Sequence, residues 1–195
     1  TLIEVLVALS IMAVMAALTW RGIDGMARAQ AATQRYTDDV LTLQAGLTQW
    51  RADLDAMMTG PNTDGSNPAG PAGQRSLAWD GSVLRITRML TDTPAAGLRV
   101  AAWSRRAGDG QWLRWQSAPV RSHHAWLDAW DAAARWAQNG APPGPQPGGA
   151  QAVALLAALD WQLHYYRANA WTTPLSSASA GLGDTHALPD GVRLM

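Results

Sequence analysis

Residues 5–18 read VLVALSIMAVMAAL without a single charge, and over residues 1–20 the only charged side chain is Glu4. Twenty residues wound as a helix span about 30 Å, the hydrocarbon thickness of a bilayer. The run is apolar on every face, whereas a helix lying on a protein core carries one apolar stripe. No basic region precedes it and no small-residue cleavage site directly follows, so it does not read as a plain secretory signal. The segment predicts a membrane-anchoring helix over residues 1–20, set against the plainer alternative of a buried core helix.

The helical pattern continues past Trp20. Val40, Leu43, Leu47, Trp50, Leu54 and Met57 recur at spacings of three and four, while Asp39, Gln44, Arg51, Asp53 and Asp55 fall at other angles. This is one apolar stripe on a polar helix. The first proline is Pro61; Gly22, Gly25 and Gly46 each weaken a helix by about 1 kcal/mol relative to alanine. We expect a nearly continuous helix over residues 1–58, softer near Gly22 and Gly25, with an amphipathic continuation over residues 21–59. Arg21, Arg28 and Arg35, seven apart, share a face, with Asp24, Asp38 and Asp39 close by. Such charges serve either as a solvated face with i,i+4 pairing or as charge matching in a helix bundle.

Residues 61–74 (PNTDGSNPAGPAGQ) form a loop that ends the helix. Strand character follows at residues 76–80, 83–90, 98–106 and 111–117. Asp80-Gly81 and Asp109-Gly110 mark turns, giving two successive hairpins. Residues 123–138 read as a helix through Trp126, Trp130, Ala133 and Trp136. Residues 139–150 (NGAPPGPQPGGA) read as a low-complexity Pro/Gly linker on the surface, dispensable for folding. Residues 152–159 fit a short helix or the start of a strand. Residues 160–167 and 188–194 read as strands. A helix followed by strands predicts an α+β fold, with an antiparallel sheet lying on the amphipathic part of the long helix and a β-rich domain over residues 60–195.

The N-terminal run Thr1, Leu2, Ile3, Glu4, followed by the apolar helix, resembles the start of type IV pilin-like proteins. In that family a leader is removed after a glycine and the mature chain opens on an N-methylated phenylalanine followed by this same run. The resemblance therefore implies a processing and methylation motif at Thr1, Leu2, Ile3 and Glu4, action of a prepilin peptidase, and a chain that starts one residue inside the mature protein. Within the family, Trp20-Arg21-Gly22-Ile23-Asp24 is similar to the aromatic-x-Gly-apolar-Asp run of the J-type minor pseudopilins of type II secretion. The strand with Leu163, Tyr165 and Tyr166, then Trp171, then Leu188-Pro189-Asp190-Gly191-Val192-Arg193-Leu194, is similar to the C-terminal pattern of the same type. Residues 123–150 carry no part of the resemblance.

The resemblance implies a non-enzymatic tip or initiation subunit of the pseudopilus. It would be anchored by a single pass in the inner membrane with its C-terminal domain in the periplasm. Implied partners are the I-type and K-type minor pseudopilins, the major pseudopilin and membrane lipid. It also implies that Glu4, the only glutamate in the chain, pairs with the N-terminal amine of an adjacent subunit. A carboxylate inside a membrane helix costs a few kcal/mol and usually has a partner; the plainer reading is a solvated carboxylate at the interface. The alternatives are a minor pilin of a type IV pilus and a membrane-anchored periplasmic enzyme or binding module.

Chemistry by other routes finds little support. Fifteen basic and fifteen acidic residues leave no net charge, which removes the electrostatic basis for nucleic-acid binding. Without cysteine there is no thiolate, Cys-bound zinc or disulfide. His123, His124, His164 and His186 show no metal-binding spacing; Asp128 and Asp131 near His124 read as a solvated face. Ser176, Ser177 and Ser179 lack a nucleophile-elbow context. Asp184 and Asp190 have no diagnostic calcium spacing. No cofactor and no metal is expected. Trp103, Trp112, Trp115, Trp126, Trp130, Trp136, Trp161 and Trp171 suit a sugar or peptide platform less well than core and interface anchors.

Overall fold

The computed structural model describes residues 1–58, 75–90, 97–158, 160–167, 169–175 and 188–195. The expected loop at 61–74, together with Ser176, Ser177, Ser179, Asp184 and His186, lies outside the described residues. The chain divides into two compact units, Thr1–Gln44 and Ala45–Met195.

The first unit is helical throughout. It belongs to helix α1, Leu2–Asp55, which runs unbroken through Gly22 and Gly25. Gly25 and Val40 are partly covered, and every other residue of this unit is exposed. Hydroxyls along it bond back to the preceding turn: Ser10 Oγ donates to the Leu6 carbonyl at 2.8 Å and Thr19 Oγ1 to that of Met15 at 2.9 Å. Such back-bonding satisfies each hydroxyl without water. Arg28 pairs with Asp24 at 2.9 Å, the i,i+4 contact expected of a polar helix face.

The second unit is built on a six-stranded antiparallel sheet. Its strands are β1 (Leu77–Trp79), β2 (Val83–Met89), β3 (Leu98–Arg105), β4 (Gln111–Gln116), β5 (Gly144–Gln146) and β6 (Ala150–Ala157), in the order β1-β2-β3-β4-β6-β5. The two expected hairpins are present, β1 with β2 and β3 with β4. Asp80 shapes the first turn by accepting from the Ser82 and Val83 amides at 3.0 and 2.9 Å. In the second, Arg106 grips Asp109 at 2.6 Å and holds its carboxyl at about 2, below the usual carboxylate range. Residues 152–159, left open between helix and strand, belong to β6.

Both faces of this sheet are covered, so alternate residues on both sides are buried; Val83, Leu84, Ile86 and Thr87 are all inaccessible. On one face lies helix α2, His123–Gln138, where Trp126, Trp130, Ala133 and Trp136 pack with Val83, Val100, Leu113 and Trp115. Ser122 caps it by accepting from the Ala125 amide at 3.2 Å. On the other face lie the last turns of α1 and a second, three-stranded sheet. Trp50, Leu54 and Met57 meet Leu84, Ile86, Trp103 and Trp112 there, together with Leu163, Val192 and Leu194. The second sheet contains β7 (Leu163–Arg167), β8 (Ala170–Thr172) and β9 (Gly191–Leu194), in the order β8-β7-β9. The fold is α+β, a long N-terminal helix packed on an antiparallel sheet, as the sequence predicts; the small sheet is an addition.

Two glycines permit close approaches. A Cβ on Gly46 would stand 3.2 Å from the Trp112 ring, so this mid-helix glycine lets α1 sit down on β4. Gly97 has φ +84° and presses on the Val120 carbonyl, where a Cβ would come within 2.4 Å.

The Pro/Gly segment at 139–150 is a correction to the sequence reading. It contains β5, paired to β6 through Gly144↔Ala152, Pro145↔Gln151 and Gln146↔Ala150. Ala141 and Ala150 are buried in the α2 core, and Trp136 Nε1 donates to the Pro142 carbonyl at 2.9 Å. Composition suggested a linker because proline and glycine do not supply large core side chains, yet proline is tolerated in an edge strand. Replacing residues 139–150 by a short Gly/Ser link is therefore expected to lower the thermal midpoint by several degrees, because it uncovers the Trp136 indole and strips the outer edge of β6. Thermal unfolding followed by tryptophan fluorescence checks this; an unchanged midpoint would restore the linker reading.

Candidate functional site

The apolar segment that opens α1 is long and hydrophobic enough to cross a membrane, and none of it is buried within the chain. Leu2, Ile3, Leu6, Leu9, Met12 and Met15 are each at least 60% exposed, which no protein leaves in water without a covering phase or partner.

Glu4 sits in the first turn. Its Oε2 accepts from the Thr1 amine at 2.7 Å and from Thr1 Oγ1 at 3.2 Å. Within its own turn the carboxylate meets the Thr1 hydroxyl; pairing with a neighbour's amine stays what the resemblance implies. Both groups are 79% exposed, and the contact spans a single turn.

The second cluster was not legible in the sequence. Asp53 stands among the polar angles of α1, yet it is wholly buried. Five donors converge on its carboxylate. Arg114 grips it with two bonds, Nε to Oδ2 at 2.7 Å and Nη2 to Oδ1 at 2.9 Å. Arg88 Nη1 reaches Oδ1 at 2.8 Å, Trp103 Nε1 donates to Oδ2 at 2.8 Å, and Gln49 Nε2 to Oδ1 at 2.9 Å. A forked Arg–carboxylate pair is the strong, directional kind of ion pair. It ties the last turns of α1 to three neighbouring strands at one point, across 35 to 61 residues of sequence. The only foreshadowing signal is spacing: Gly46, Trp50 and Asp53 recur at four and three, and all three are buried. Arg88 lies below the usual arginine range because burial strips its hydration and Arg114 and Arg99 stand nearby, with Asp53 pulling the other way.

The remaining candidates are dispersed. His123 and His124 open α2, and His164 is on β7. His124 Nδ1 lies 2.9 Å from Asp128 on the exposed face. Among the described residues no three His, Asp or Glu side chains come together as a metal site. Trp103, Trp112, Trp115, Trp126, Trp130 and Trp136 are core residues, Trp161 is half-buried beside Trp79, and Trp171 is 40% exposed under the guanidinium of Arg193. Asp190, the other residue considered for calcium, is exposed beside β9.

Comparison with protein-family models, with curated proteins and with solved structures finds no match.

Proposed function

We propose that this chain is a minor pseudopilin of the J type, a tip or initiation subunit of the type II secretion pseudopilus, needed for protein export across the outer membrane. One observation carries the reading. A single helix, Leu2–Asp55, is headed by Thr1, Leu2, Ile3 and Glu4, begins as uncovered apolar surface, and ends locked by Asp53 into a sheet domain. An anchor and a domain on one continuous helix suit an assembly subunit, whose helix packs among other helices. In this reading the apolar part of α1 crosses the inner membrane once and the sheet domain lies in the periplasm. In this reading Glu4 pairs with the N-terminal amine of an adjacent subunit. The I-type and K-type minor pseudopilins and the major pseudopilin are the partners, and the chain is not an enzyme.

The test is co-expression of the full chain with the I-type and K-type pseudopilins of its own genome, extraction in a non-ionic detergent, and size-exclusion chromatography with light scattering. A complex of defined stoichiometry is the expected result. Co-elution with pilus minor pilins instead would move the chain to the type IV pilus. A chain that stays monomeric with every candidate would sink the assembly reading.

A further inference from the structure

Asp53 is saturated, and the cations around it are not. Arg88 on β2 and Arg99 on β3 face each other directly in the antiparallel register, on the same side of the sheet as Arg114. Directly opposed residues have Cβ atoms about 5 Å apart, and like charges there repel. Two guanidinium groups, Arg88 and Arg114, thus share one carboxylate that already accepts five bonds, and Arg99 stands beside Arg88 as a third positive charge. Among the described residues Arg99 pairs with no carboxylate, and the Nε atoms of both Arg88 and Arg99 are buried without a hydrogen-bond partner. The end of α1 next to Arg88 offsets about half a positive charge at most. Neither side chain is sealed in: Arg88 is 21% exposed and Arg99 is half-buried. The buried Nε atoms are out of an outside anion's reach, so the donors open to an oxyanion are the terminal nitrogens of Arg99 and Arg88 Nη2.

We propose that Arg88 and Arg99 form an oxyanion site on the β2–β3 ladder, taking a carboxylate or a phosphoryl group from outside the chain. The anion bridges the two guanidinium groups and removes the cross-strand repulsion, while Arg114 stays committed to Asp53. A carboxylate would come from an acidic side chain of a partner protein; a phosphoryl group would come from a free or lipid-borne phosphate. The two sources present the same oxygens to the same donors.

The full chain in non-ionic detergent is melted in chloride, acetate or inorganic phosphate at fixed ionic strength, beside Arg99→Gln and Arg99→Lys. The midpoint of the unaltered chain is expected to climb roughly 4 °C for each tenfold rise in anion above its dissociation constant. Arg99→Gln should show no such climb, and Arg99→Lys, which keeps the charge but loses the fork, a weaker one. In chloride alone Arg99→Gln should melt no lower than the unaltered chain, since it removes a repulsion. A response to both acetate and phosphate supports a site for either oxyanion, a response to acetate alone assigns it to carboxylates, a response to phosphate alone assigns it to phosphoryl groups, and no response of the unaltered chain overturns it. Parallel climbs in all three proteins would mean general salt stabilisation and overturn the site. So would a lower midpoint for Arg99→Gln in chloride, which would mean that Arg99 is already paired within the chain.

Discussion

Asp53→Asn is expected to destabilise the sheet domain by about 3–5 kcal/mol, the cost of breaking a buried ion pair from one side. The side chain is wholly buried, and five donors depend on it. Asparagine keeps the shape but loses the charge, and it points an amide toward guanidinium groups that can only donate. Arg88 and Arg114 are then left half-buried without a counter-charge, and the Trp103 indole competes for a single oxygen. For a domain of this size the loss corresponds to a fall in midpoint of about 10 °C. Near-ultraviolet circular dichroism follows it directly, because Trp50 and Trp103 stack edge to face at 5.2 Å beside the carboxylate. The penalty comes from stranded charge, so a second variant that also removes the partners, Asp53→Leu with Arg88→Met and Arg114→Met, should recover most of it. A midpoint for Asp53→Asn within 2 °C of the unaltered chain would show that water or another group already satisfies the arginines.

If the chain is the pseudopilin proposed above, Glu4→Ala is expected to impair secretion strongly while leaving the domain folded. Among the described residues its carboxylate bonds only within the first turn of α1, to Thr1. In the proposed filament the same substitution removes the partner of a neighbouring subunit's amine, and an uncompensated charge in an apolar surrounding costs a few kcal/mol. Between subunits, an amine–carboxylate pair in low dielectric is strongest in one register, so its loss should blur axial stagger more than it weakens the helix. Two measurements are needed on the same variant: secretion in a strain carrying it, and thermal unfolding of the purified full chain. Normal secretion would remove the pairing role. An altered midpoint would place Glu4 in the fold.

The local pattern of the sequence sufficed wherever a segment's own periodicity decided its structure. The long helix, expected over residues 1–58, ends at Asp55; α2 matches residues 123–138; four strands fall within a few residues of their expected places. These follow from spacings of three and four, from alternation, and from Asp-Gly turns, all of which act within a few residues. The uncharged apolar run at the start of α1 was legible for the same reason. The eight considered tryptophans were ambiguous between surface and core, and packing placed six of them inside.

Tertiary structure alone decided the rest. Residues 139–150 look like a linker in isolation, because nothing local reveals that β6 offers an edge to pair with. The strand β8, Ala170–Thr172, is too short to show alternation and exists through its pairing with β7. Asp53 reads as a solvent residue on any helical wheel; it is buried because Arg88, Trp103 and Arg114 arrive on strands 35 to 61 residues away, and desolvating a carboxylate is tolerable only where such donors converge. The cross-strand Arg88–Arg99 pair was equally hidden, since register is a property of two strands and neither one carries it alone. What a segment does alone is written in its own periodicity; which charges meet is settled by topology, because electrostatic partners are chosen by distance in space.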